Sequence, residues 1–283
     1  MSAKRRSSGS QRPSLRGGTR DSHSAASSFQ QGRASSRFRV RWVIVKNIAG
    51  VLLLPVVWVW TEAFLRVFSK EASRREFWMM EEVWFFGMGV VGWLLWFTWS
   101  LSQRGEPHGM RVYVMGHEWT HAIWAWLCGG RVEEIHYGRE GGHVLTDKPN
   151  FWVTLAPYFY PIYSVALVLA FVLALPFYRL YPDWSQWWVN PWQVWFALLG
   201  GSWAFHLSFT VWMIHLGQSD LRLHGNFFSL VLIYGMNLVV LSVPFLLVAP
   251  EGGIRLFGRE LLRSAEDFSE VAWELGRRCW ERF

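Results

Sequence analysis

Long apolar runs dominate this chain and decide its class before any motif is considered. A helix that crosses a bilayer needs about 20 mainly apolar residues, and six stretches offer that: residues 42–67, 78–101, 110–128, 155–178, 192–216 and 227–249. Trp42, Trp60, Trp99, Trp184, Trp187, Trp188 and Trp192 stand at their edges, where amphipathic rings favour the headgroup region. The expected fold class is an all-α polytopic membrane protein with about six transmembrane helices, its partner medium the lipid bilayer. The membrane domain spans residues 41–250.

The charge sits elsewhere. Residues 1–40 are rich in Ser, Gly and Arg, with Asp21 as the one acid among many basic side chains. Such a segment cannot bury enough apolar surface to fold alone and reads as a disordered basic tail. Next to a membrane span, its charge is explained by retention on the cytoplasmic side and by attraction to anionic lipid. No nucleic-acid partner is expected. The two cysteines, Cys128 and Cys279, lie far apart without a CxxC motif, which suggests neither a disulfide framework nor a thiolate zinc site.

Most links between the apolar runs are short, as in a bundle of sequential antiparallel helices. The link GGRVEEIHYGREGGHVLT differs. Glycine pairs flank two β-prone pieces carrying Val132, Ile135, Val144 and Leu145, with Gly138, Arg139 and Glu140 between them. That pattern predicts a small β-hairpin. Residues 251–283 become charged but keep Ile254, Phe257, Leu261, Ala265, Phe268, Ala272 and Leu275 at three- and four-residue spacing. They predict an amphipathic helix lying on the membrane surface or on the bundle.

The third apolar run, MRVYVMGHEWTHAIWAWL, contains His117, Glu118 and His121. Ionisable groups inside a span are costly and usually functional. Residues four apart share one helix face, so both imidazoles point at a common spot with Glu118 beside them. This is the HExxH arrangement: two neutral imidazoles hold zinc, and the carboxylate takes a proton from the water that the metal acidifies, then hands it to the leaving amine. A catalytic zinc needs three protein ligands and an open position. A third His six residues after His121 is excluded, because Leu127 stands there. Asp220, in HLGQSDLRLHG after the fifth run, is the best-placed remaining acid. The alternatives are that Asp220 only caps a helix or pairs with Arg222, and that His215 or His224 is the ligand.

HEWTHA inside an apolar span, a Gly-rich hairpin directly after it and a late Asp beyond a downstream span resemble the site-2 protease family of intramembrane zinc metalloproteases, the M50 peptidases. The resemblance covers residues 110–225. It implies Zn2+ held by His117, His121 and Asp220, Glu118 as the catalytic residue, and a membrane-anchored protein substrate cut in or near its transmembrane segment. The chain departs from the family's pattern in lacking a Gly after Asp220 and an Asn-Pro before it, and Thr120 stands where Gly is frequent. TLAPYFYPIY, from Thr154, looks like the family's broken helix start, since Pro157 and Pro161 each remove a backbone donor. The hairpin offers a free edge to which an extended substrate can add as a strand, with Gly141, Gly142, His143 and Val144 as the substrate-binding residues. The alternative from another class is a non-proteolytic membrane binding or transport protein with a vestigial metal site.

Overall fold

The computed structural model describes residues 20–138, 141–180, 190–248 and 253–282, with side chains from Trp42 onward apart from residues 104, 178–180, 244, 247 and 248. Residues 1–19 of the basic tail, the turn residues Arg139 and Glu140, and Trp184, Trp187 and Trp188 lie outside that set. The chain divides into two units, residues 1–45 and 46–283. In the first, the described part is the beginning of helix α1 (Arg20–Ala72), which starts within the segment read as a tail.

The second unit is almost entirely helical. After α1 come α2 (Arg75–Met79), α3 (Glu81–Arg104), α4 (Met110–Leu127), strands β1 (Val132–Tyr137) and β2 (Gly142–Thr146), α5 (Phe151–Leu155), a 3₁₀ turn (Ala156–Tyr158), α6 (Ile162–Leu180), α7 (Pro191–Leu216), α8 (Ser219–His224), α9 (Asn226–Val248) and α10 (Gly253–Trp280).

Four of these helices are long and apolar enough to cross a membrane: Trp42–Ala72 of α1, Glu81–Gln103 of α3, α7, and Asn226–Val243 of α9. The count becomes five if α5 with its 3₁₀ turn and α6, bent by 80° at their junction, are one broken span. The expected six is therefore not reached. Even at five, α4 is missing: in the run 110–128, Arg111, His117, Glu118 and His121 dilute the apolar residues. Large apolar side chains are exposed along these helices, with Leu52, Trp58, Leu95, Leu173 and Val211 each more than half exposed.

The predicted hairpin is present. β1 and β2 pair antiparallel, with Ile135 opposite Val144, His136 opposite His143 and Tyr137 opposite Gly142, and an irregularity between Val132 and Glu134. Val132, Ile135, Val144 and Thr146 are its partly buried residues, and both strands pack on α4.

Three clusters hold the unit together. Leu155, Tyr158, Phe159, Leu221, Phe228 and Ile233 fill the space under the helix break. Ala63, Phe64, Val67, Leu238, Leu246 and Phe257 join α1, α9 and α10. Phe97, Tyr113, Val114 and Phe209 join α3, α4 and α7. Helices α3 and α7 approach backbone to backbone: a Cβ on Gly89 would strike the Ala197 carbonyl, and one on Gly200 would strike that of Phe86. Small residues permit such close crossings in membranes.

The expected amphipathic stripe of α10 is used only in part. Phe257, Glu260 and Ser264 are buried, whereas from Ser269 to the end of the helix every residue is exposed. The packed half is tied down by charge. Lys70 donates to Glu260 over 2.5 Å, and Arg66 donates to Glu62 and Asp267 over 2.6 Å each.

Candidate metal centre

Helix α4 puts the two histidines on one face, as their spacing requires, and buries the polar centre: His117 is 8% and Glu118 5% exposed. Asp220 reaches the same spot by a different route. Gly217 ends α7 in the left-handed region, at φ 73°, a conformation that favours glycine. The chain turns there, and α8 carries Asp220 back over the face of α4. Arg222 donates to the Gly217 carbonyl over 2.5 Å and so secures the turn.

Asp220 Oδ2 lies 3.5 Å from His117 Nε2 and 3.7 Å from His121 Nε2. The ligand atoms of the three residues all fall within 4.8 Å of one another. Zinc ligands held at about 2.0–2.2 Å in a tetrahedron stand roughly 3.3 Å apart, so the two measured separations fit a shared ion with little adjustment. This group could hold a metal ion, and among the described residues it is the one such cluster. Of the alternatives raised by the sequence, Arg222 caps α7, His215 is exposed, and His224 Nδ1 sits 2.5 Å from Lys46 Nζ. Burial and the nearby Lys46 push the His224 imidazole down to about 4. None of the three competes for the site.

Each of the three candidate ligands meets a further partner, as metal-binding side chains usually do. His121 Nδ1 lies 2.7 Å from the Val153 carbonyl. A carbonyl can only accept, so this nitrogen carries the proton and leaves Nε2 bare towards Asp220. Tyr113 Oη is 3.2 Å from His117 Nδ1, which leaves His117 Nε2 facing the same way. Tyr158 donates its phenolic hydrogen to Asp220 Oδ2 over 3.1 Å. Burial opposes the charged form of Asp220, but the facing His117 and His121 side chains outweigh it and hold its carboxyl below the ordinary carboxylate range.

The Val153 carbonyl is available for a covalent reason. In a continuous helix it would accept from the backbone nitrogen of residue 157, and Pro157 has no N–H. The sequence shows both prolines; it does not show that His121 would take the freed acceptor. Tyr113 and Tyr158, both in contact with ligands, carry no signal in the sequence beyond their aromatic character.

The hairpin closes one side. A cavity of ≈ 910 Å³ is lined by His117, Glu118, His121 and Asp220 together with Gly141, Gly142, His143 and Val144. All the expected site residues therefore meet around one space. Gly142 lies against Glu118 so closely that a Cβ there would sit 2.5 Å from Glu118 Cγ and 2.7 Å from Oε1.

Comparison of the chain with protein-family models, with curated proteins and with solved structures yields no match.

Proposed function

We propose that this chain is an intramembrane zinc metalloendopeptidase of the site-2 type, which hydrolyses peptide bonds in or beside the transmembrane segments of membrane-anchored proteins. The observation that carries the proposal is the convergence of Asp220 on the HExxH pair, with Glu118 lining the same cavity. On this reading α4 and the broken α5–α6 pair complete the membrane domain to six crossings.

His117 Nε2, His121 Nε2 and Asp220 Oδ2 would hold the ion. Bound there, zinc supplies Lewis acidity: it polarises a peptide carbonyl and acidifies a water. The protein's own groups do the rest. Glu118, buried beside the ligands, accepts a proton from the attacking water and later returns it to the leaving amine. The break between α5 and α6 carries Tyr158, whose hydroxyl reaches Asp220, and a bilayer tolerates such irregular backbone only where the freed groups are satisfied internally. Strand β2 presents its outer edge, and an extended substrate segment adds to it through backbone hydrogen bonds with Gly142 beside Glu118. An unwound segment is required, because a helical substrate keeps its peptide groups occupied.

The test is a purified-component assay on a membrane-anchored reporter, comparing the natural chain with Glu118→Gln and measuring zinc content in both. Cleavage that falls about 10²–10⁴-fold with zinc retained supports the assignment. A chain that binds zinc and cuts no reporter would transfer the site to the non-proteolytic binding or transport reading.

A further inference from the structure

The helix break frees a second carbonyl besides that of Val153. In an unbroken helix the Tyr158 carbonyl would accept from the backbone nitrogen of Ile162. Here the Ile162 nitrogen donates to Tyr160 instead, over 2.9 Å, and Pro161 contributes no hydrogen at all. A bare carbonyl inside a membrane domain is costly, and two helices answer it. Asn237 of α9 donates its Nδ2 hydrogen to Tyr158 O over 2.8 Å, and Thr210 of α7 donates its hydroxyl over 3.4 Å. The imidazole of His206, also from α7, faces the same carbonyl and Asn237.

The residue held in this way is the one whose phenol meets the third ligand. Tyr158 is fully buried, its ring stands edge-on to His117 at 5.2 Å between centroids, and its hydroxyl donates to Asp220 Oδ2, the oxygen that faces both imidazoles. Each carboxylate oxygen has two lone pairs, so one oxygen can serve the phenol and an ion together. Fixing the backbone of Tyr158 from two helices fixes where its hydroxyl points.

We propose that Tyr158 is the positioning residue for Asp220, and that Asn237, whose side chain donates to the Tyr158 and Ile233 carbonyls, sets it by gripping the carbonyl that the helix break releases. This rests on the reading of Asp220 as a metal ligand, and not on peptidase activity. It makes α9 part of the metal centre although α9 contributes no ligand.

The test uses the full-length chain in detergent, loaded with zinc against a competing chelator and, separately, with cobalt, whose absorption spectrum reports coordination geometry. Tyr158→Phe removes one hydroxyl and is expected to lower zinc affinity about 10–100-fold and to shift the cobalt bands. Asn237→Leu is expected to do the same more weakly. The double variant should bind no worse than Tyr158→Phe alone, because Asn237 acts through Tyr158. Should Asn237→Leu not fold, Thr210→Val removes a donor to the same carbonyl and takes its place in the cycle. Natural affinity and spectrum in Tyr158→Phe would overturn the inference. So would losses that simply add in the double variant, since those mark independent structural damage. A natural chain that binds no zinc overturns both this inference and the metal centre, whereas weakened zinc in Tyr158→Phe without reporter cleavage by the natural chain retires the peptidase alone.

Discussion

Asp220 Oδ2 lies 3.5 Å from His117 Nε2, bringing α8 over the face of α4. The spacing is too long for a good hydrogen bond and close to the edge of a zinc tetrahedron. Asp220→Ala should therefore strip the metal rather than unfold the chain. Near-stoichiometric zinc in the natural protein, falling severely in the variant at an unchanged elution volume, is the expected result of parallel purification and metal analysis. Equal zinc in both proteins would place the third ligand elsewhere.

Gly142 touches Glu118 where no side chain fits. Gly142→Ala must push either the hairpin or the carboxylate away, and a displacement of this size beside reacting groups costs on the order of 10²-fold in rate. The expected outcome is a large loss of reporter cleavage with zinc affinity unchanged, because none of the three ligands is moved. A fully active Gly142→Ala chain would show that the hairpin does not set the position of Glu118.

Pro157 leaves the Val153 carbonyl to His121. Pro157→Ala restores a backbone N–H that competes for that acceptor, which frees the imidazole to turn. Zinc affinity should fall about 10-fold, measurable by chelator competition on the purified protein. Because Pro157 lies at the start of the 3₁₀ turn, where its missing N–H is tolerated, the same substitution should leave the thermal midpoint of the metal-free chain nearly unchanged.

The contact between α1 and α10 should respond to acid. The hydrogen bond from Lys70, against a smaller opposing effect of burial, holds the Glu260 carboxyl below its ordinary value. A carboxyl depressed in the folded state contributes stability above its unfolded value of about 4.3, and that contribution is lost as the pH falls through the folded value. Lys70→Met should therefore cost about 1 kcal/mol near neutrality and almost nothing well below pH 4. Thermal midpoints of the two proteins across that range should converge on the acid side.

Much of this was legible in the residues. HExxH on an apolar helix brings His117 and His121 to one spot with Glu118 beside them, because helical geometry alone puts positions four apart on one face. Paired glycines around β-prone pieces announce the hairpin, and Pro157 with Pro161 announces the break. The count of crossings was less legible: an apolar run reads as a span by its length, yet in α4 the very residues that make the site lower its claim to cross a bilayer. The capture of freed carbonyls was not legible at all. That His121 takes Val153 and Asn237 takes Tyr158 depends on how distant helices pack, and neither partner carries a local signal. Lys46 illustrates the same limit. In the sequence it is a lone charge inside the first apolar run, while in the structure it meets His224.

The close crossing of α3 and α7 bears on the candidate metal centre from a distance. With Gly89 and Gly200 setting peptide against peptide, α7 cannot slide along its neighbour without a collision, so its axial position is locked. Asp220 follows α7 by one glycine turn and inherits that lock. The placement of the Asp220 carboxylate is thereby borrowed from two hydrogen atoms at the helix crossing, and a single methyl group added at Gly89 would be felt as a misalignment at the carboxylate, by leverage along α7 and without touching any residue of the site.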